Sequence, residues 1–151
     1  DVTIEGHDYS RLTYSLVYSG IIQEYALDYV REHADADEDF HLADKDWDGF
    51  VAFAKTKEFD YRSSAKTYFD RMKKELEKDG LSKNMSAELD ALQKALEMDK
   101  ETFLKLKKDE IVPFIEEEIA VRYHFQEAGI KIRLRYDDQL KKALASPMIE
   151  L

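Results

Sequence analysis

The sequence predicts a mainly α fold, a multi-helix domain of about seven helices with at most one short β hairpin. Three observations carry this. Apolar residues recur at i, i+3, i+4 and i+7 through most of the 151 residues. Glycine (5) and proline (2) are too scarce for a collagen-like, low-complexity or many-turned β chain. Period-2 alternation is confined to one stretch, 130–136. The length suits a single domain over residues 1–151, able to bury about 68–70% of its unfolded surface without staples.

The elements follow in order. Val2–Glu5 is β-prone. Asp8 or Ser10 starts a helix reaching about His33, with Leu12, Leu16, Val17, Ile21, Ile22, Ala26, Leu27 and Val30 as its apolar positions. Gly20 falls in its middle, where glycine costs about 1 kcal/mol against alanine, so a close packing contact is expected there. Residues 34–46 lose periodicity and read as a solvated loop. A short helix follows around Trp47–Lys57, with Trp47, Phe50, Val51 and Ala54 on one face. Ser63 or Ser64 caps the next helix, which carries Ala65, Phe69, Met72 and Leu76 and stops at Gly80. Ser86 caps one with Leu89, Leu92, Ala95 and Leu96, and Asp99 a short one with Phe103, Leu104 and Leu106. Asp109 opens a helix through Ile111, Phe114, Ile115, Ile119, Val121, Tyr123 and Phe125, with Pro113 near its first turn and its end at Gly129. Ile130, Ile132 and Leu134 then alternate with Lys131, Arg133 and Arg135, which predicts a strand pairing with Val2–Glu5. Asp137 caps a last helix ending before Pro147.

Composition narrows function by exclusion. The 23 Lys and Arg against 33 Asp and Glu leave a net charge of −10, which argues against nucleic acid as a partner. No apolar run approaches a membrane span. Without cysteine there is no disulfide, thiolate nucleophile or Cys-ligated zinc. The chain begins at Asp1 without Met or secretory signal, so it is expected to be an excised or processed piece of a longer protein.

The motifs with chemical meaning are incomplete. Asp44-Lys45-Asp46-Trp47-Asp48-Gly49 opens like a calcium loop, but its twelfth position is Lys55 where a bidentate Glu is needed. His33, Asp35, Asp37, Asp39 and His41 alternate along an acidic loop with no ordered scaffold, so no metal and no cofactor is assigned. Ser63-Ser64-Ala65-Lys66 matches S-x-x-K without the companion motifs of that catalytic system, and capping explains its serines. Residues 28–48 hold nine acids against two bases; Lys131, Arg133 and Arg135 either face them or form a solvated strand face, and three charges are too few for an anion site. Tyr14, Tyr18, Tyr25 and Tyr29, at spacings of 4, 7 and 4, share roughly one helical face. A half-buried core edge and an interdomain contact both explain them. The first helix, with Gly20 and these tyrosines, is the expected docking surface.

Asp8-Tyr9-Ser10, Gly20-Ile21-Ile22 with Ala26-Leu27-Asp28-Tyr29, Phe50 to Phe53, Ile115 through Tyr123, Gly129, and Asp137-Asp138 with Lys142-Ala143-Leu144 together resemble the C-terminal helical extension of bacterial C-terminal processing (tail-specific) peptidases, family S41. The resemblance implies a non-catalytic accessory domain of an exported serine peptidase. It would pack on its own catalytic or PDZ region or on a second subunit and help position protein substrate in the cell envelope or periplasm. The family's Ser–Lys pair lies upstream of such a segment, so no catalytic residue is carried over. The alternative is a free-standing helical protein-interaction domain with no enzymatic parent. A weak divalent-metal module on residues 33–48 is a third.

Overall fold

The computed structural model describes residues 8–145, which form eight α-helices, one 3-10 turn and no strand. In order they are α1 (Arg11–Tyr18), α2 (Ile21–Glu32), α3 (Asp44–Lys55), α4 (Ser64–Lys78), the turn Ser82–Met85, α5 (Ser86–Leu96), α6 (Lys100–Leu106), α7 (Lys108–Arg135) and α8 (Asp138–Ala145). The mainly α expectation holds. No described helix is long and apolar enough to cross a membrane.

The core forms where four apolar faces meet. Leu12 and Leu16 of α1, Ile22 and Ala26 of α2, Phe50 and Ala54 of α3, and Ile111, Ile115 and Ile119 of α7 are fully buried, and Phe103 and Leu104 of α6 close one side. Trp47, Phe50, Val51 and Ala54 are all buried, as their spacing predicts. Each large side chain so removed from water contributes about 1.5–3 kcal/mol.

Capping follows the sequence closely. Ser10 Oγ accepts from Thr13 N, Ser63 Oγ from Lys66 N, and Asp99 Oδ1 from Thr102 N. Asp137 Oδ1 accepts from the amides of Gln139 and Leu140 at 2.9 Å. Gly80 sits at φ +73 after α4, where Leu81 N returns to Leu76 O, so the predicted stop stands. Ser86 differs: it is the first residue of α5, continuing from the 3-10 turn.

Two glycines exchange the roles expected of them. The predicted helix to His33 is two helices, because Gly20 adopts φ +77 between α1 and α2. A Cβ at Gly20 would touch nothing within 4 Å, so the glycine supplies a left-handed turn and no close packing. Gly129, expected to end a helix, lies inside α7. A Cβ there would come within 2.5 Å of Val121 Cγ2, so this glycine is the one that admits a close approach.

That approach exists because α7 folds back on itself. His124 (φ −126, ψ 17) and Phe125 (φ 62, ψ −168) interrupt the helix, and the returning segment after them runs antiparallel to the outgoing one. Ala128 and Ile132 of the return pack on Ala120, with Tyr136 at the edge. This overturns the predicted strand over 130–136. The inward positions, 128, 132 and 136, repeat every four residues, whereas Ile130 and Leu134 are 54% and 48% exposed. The intended partner of that strand, Val2–Glu5, lies outside the described residues.

The acidic segment faces the returning segment, as the basic alternation suggests. Lys131 pairs with Glu38 at 3.1 Å, and Arg135 pairs with Asp39 while donating to Phe40 O. Arg133 turns instead to Glu117. Residues 131 and 135 are one helical turn apart, so a helix presents them together as well as a strand would. The loop expected to be solvated is therefore partly pinned, with Phe40 buried and Leu42 N donating to Glu116 at 2.8 Å.

Candidate docking surface

The break at Gly20 divides the four tyrosines. Tyr14 and Tyr18 lie on α1 as a stacked pair, centroids 6.1 Å apart and planes 15° from parallel. Tyr18 is 83% exposed and Tyr14 41%. Tyr9 meets Tyr14 edge-on at 6.0 Å and Phe114 at 5.2 Å, joining this aromatic face to α7. Tyr25 and Tyr29 belong elsewhere. Tyr25 packs edge-on against Phe50 and donates its hydroxyl to Asp46 O at 2.6 Å. Burial first, then the Asp46 charge, push its phenol up to about 12. Tyr29 stacks on His33 at 4.0 Å and meets Phe40 edge-on.

The network beneath α1 holds that face in place. Glu110 accepts from Ser10 N, Ser10 Oγ and Thr13 Oγ1 at 2.8–3.0 Å, and from Lys107 Nζ at 2.8 Å. Burial raises its carboxyl, but these four donors outweigh it and hold Glu110 at about 2. α1 is thus tied at its N-terminus to the start of α7, behind its exposed rings.

A second apolar surface lies on the α4–α5 pair, which sequence reasoning takes for ordinary core stripes. Phe69 of α4 and Leu89 of α5 are buried, and the two helices are in contact. Met72, Met85, Leu92 and Met98 remain 37–44% exposed. Where the pair meets α6, Ala65, Ala95, Leu96, Met98 and Leu106 line an open groove of about 560 Å³.

The sequence motifs take structural roles. Ser63 Oγ receives the Lys66 amide, while Lys66 Nζ pairs with Asp70 at 2.7 Å, so the S-x-x-K residues cap and brace α4. Asp44 begins α3 and pairs with Lys108, so the calcium-like motif is the first turn of a helix whose dipole its acids complement. Among the described residues no three His, Asp or Glu side chains gather into a metal-binding set. His33 bonds Tyr29 O, and His124 bonds Ala36 O.

The sequence misses a buried charge centre. Glu116 is 2% exposed and accepts from Leu42 N, from Tyr136 Oη at 2.7 Å and from Arg135 at 3.2 Å. Burial, then the hydrogen bond to Glu116 and the charge of that carboxylate, push the Tyr136 phenol up to about 12. Its signal, an acid at an inward position of an apolar helix, is visible only once α7 is known to fold back.

No curated protein and no solved structure matches the chain. A family model does: residues 12–146 match the C-terminal helical domain of a probable PDZ-protease. That match takes in every helix from the first core residue of α1 to the end of α8, and by it the chain belongs to the family of C-terminal helical domains of probable PDZ-proteases.

Proposed function

We propose that this domain is the non-catalytic accessory part of an exported serine peptidase of the tail-specific S41 type, working in the cell envelope or periplasm. It docks through α1 on its parent's catalytic or PDZ region, or on a second subunit, and helps position the protein substrate. The family match supports a protease parent. The observation that carries the docking reading is the Tyr14–Tyr18 stack, an amphipathic surface left open on a helix whose opposite face is fully buried. Tyrosines of this kind are enriched at interface centres, because they bring large contact area at low entropic cost. Tyr25 and Tyr29, packed against α3 and the acidic loop, stabilise the domain behind that surface.

Hydroxyl-radical footprinting of Tyr18 in the isolated chain and in the intact parent tests this. Strong labelling in the chain and protection in the parent is the expected result, and equal labelling refutes docking through α1. In the parent, Tyr14→Ser with Tyr18→Ser is expected to slow cleavage of a folded protein substrate about tenfold and to spare a short peptide, since removing interface anchors typically costs 1–2 kcal/mol or more. Equal loss on both substrates would place the defect in the catalytic region and overturn the positioning role.

A further inference from the structure

We propose that two copies of this chain exchange residues 126–145, each returning segment of α7 packing on the outgoing segment of the other copy and carrying α8 with it. Phe125 is the one non-glycine residue with positive φ among those described, and its φ 62, ψ −168 lies in a region essentially reserved for glycine. The turn around it is two residues long. No proline lies between Pro113 and Pro147, and the sequence on both sides is helix-competent, so relaxing 124 and 125 to helical angles turns the hairpin into one continuous helix. Short, strained hinges are the known route to such exchange.

Every contact that holds the return in place is remade in the exchanged pair. Ala128 and Ile132 against Ala120, Gly129 against Val121, Arg135 and Tyr136 on Glu116, Arg133 on Glu117, and Lys131 on Glu38 all join the return to the rest of the chain, and each finds the same partner in a second copy. The exchanged form loses none of these and relieves the strain at two hinges. It also brings the two hinge regions side by side, where Phe125, 81% exposed in the closed chain, meets its symmetry mate. This inference stands apart from the protease reading and uses no residue of the α1 surface.

The chain has no cysteine, so an introduced pair reports connectivity without background. A Cβ at Gly129 lies 3.9 Å from Val121 Cβ, within disulfide range. Val121→Cys with Gly129→Cys is oxidised after equilibration at low and high protein concentration, then run on a non-reducing gel. Wild-type chain is followed by light scattering in parallel. The expected result is a covalent dimer whose fraction rises with concentration and a matching non-covalent dimer in wild type. Phe125→Gly, which removes the strain of the closed form, lowers the dimer fraction about tenfold or more. Phe125→Ala keeps a Cβ at the strained position, favours a continuous helix and preserves or raises the dimer. Disulfides formed only within chains, a wild-type chain that is monomeric at every concentration, or a dimer fraction indifferent to Phe125→Gly each overturn the proposal.

Discussion

Glu110→Gln removes one charge from the knot that joins α1 to α7 while keeping the side chain's shape. In the wild type the carboxylate accepts from Ser10 N, Ser10 Oγ, Thr13 Oγ1 and Lys107 Nζ, and these bonds hold its pKa at about 2 against an ordinary 4.5. That gap corresponds to about 3 kcal/mol of folding stability. The side chain is 22% exposed, and solvent trims the figure to about 2 kcal/mol. The sign follows from a depressed carboxylate. The contribution is whole above pH 4.5 and drains away as pH falls toward 2. The variant is therefore expected to be about 2 kcal/mol less stable than wild type at pH 7, with the difference closing between pH 4.5 and 2. Urea unfolding followed by fluorescence measures it, because the single tryptophan, Trp47, is 4% exposed against Phe50 in the main core. Other depressed carboxylates, such as Asp60, titrate in both proteins and cancel in the difference. A gap between the two proteins that stays constant from pH 7 to pH 2, or no gap at pH 7, would refute the reasoning.

Three further outcomes follow from named contacts. Gly20→Ala is expected to cost about 1–2 kcal/mol through its left-handed φ alone, read as a lower thermal midpoint with an unchanged helix signal. Gly129→Ala sets an overpacking cost of about 1–3 kcal/mol against a helix-propensity gain of about 1, so a small net loss is expected. Adding Val121→Ala cancels the clash, and a double-mutant cycle by urea unfolding checks that the two sites couple. Glu116→Ala strands the Leu42 amide and the Tyr136 hydroxyl and leaves Arg135 to Asp39 and Phe40 O, so a loss of about 2–5 kcal/mol is expected, measured by the urea midpoint.

Local chemistry was legible in the sequence, and the chain reversals were not. Ser10, Ser63, Asp99 and Asp137 cap where their types and positions say they should, because a cap depends on three or four neighbouring residues. The apolar stripe of α3 reads correctly for the same reason. Gly20 and Gly129 perform each other's expected tasks, because a glycine's sequence environment does not reveal whether it serves φ or packing. The reversal at Phe125 carries no Gly or Pro to announce it, and the alternation after it mimics a strand although the buried positions repeat every four residues. The intended pairing of bases 131 and 135 with the acidic loop survived this error, because opposite charges attract whatever backbone carries them. Of the docking surface, the tyrosines of α1 were legible as candidates, but their separation from Tyr25 and Tyr29 depends on one backbone angle at Gly20.

The α4–α5 pair has a thermodynamic consequence of its own. It carries one buried side chain per helix, Phe69 and Leu89, and packs chiefly on itself and the 3-10 turn between its helices. Holding it shut are the burial of those two side chains, at about 1.5–3 kcal/mol each, and a handful of polar bonds such as Lys73 to Gln93. The main core draws on side chains from five other helices. The pair is therefore a separate cooperative unit that opens while the core stays closed. Its amides exchange with solvent hydrogen through this local opening. Those around Ile22, Phe50 and Ile115 wait for the whole domain to unfold.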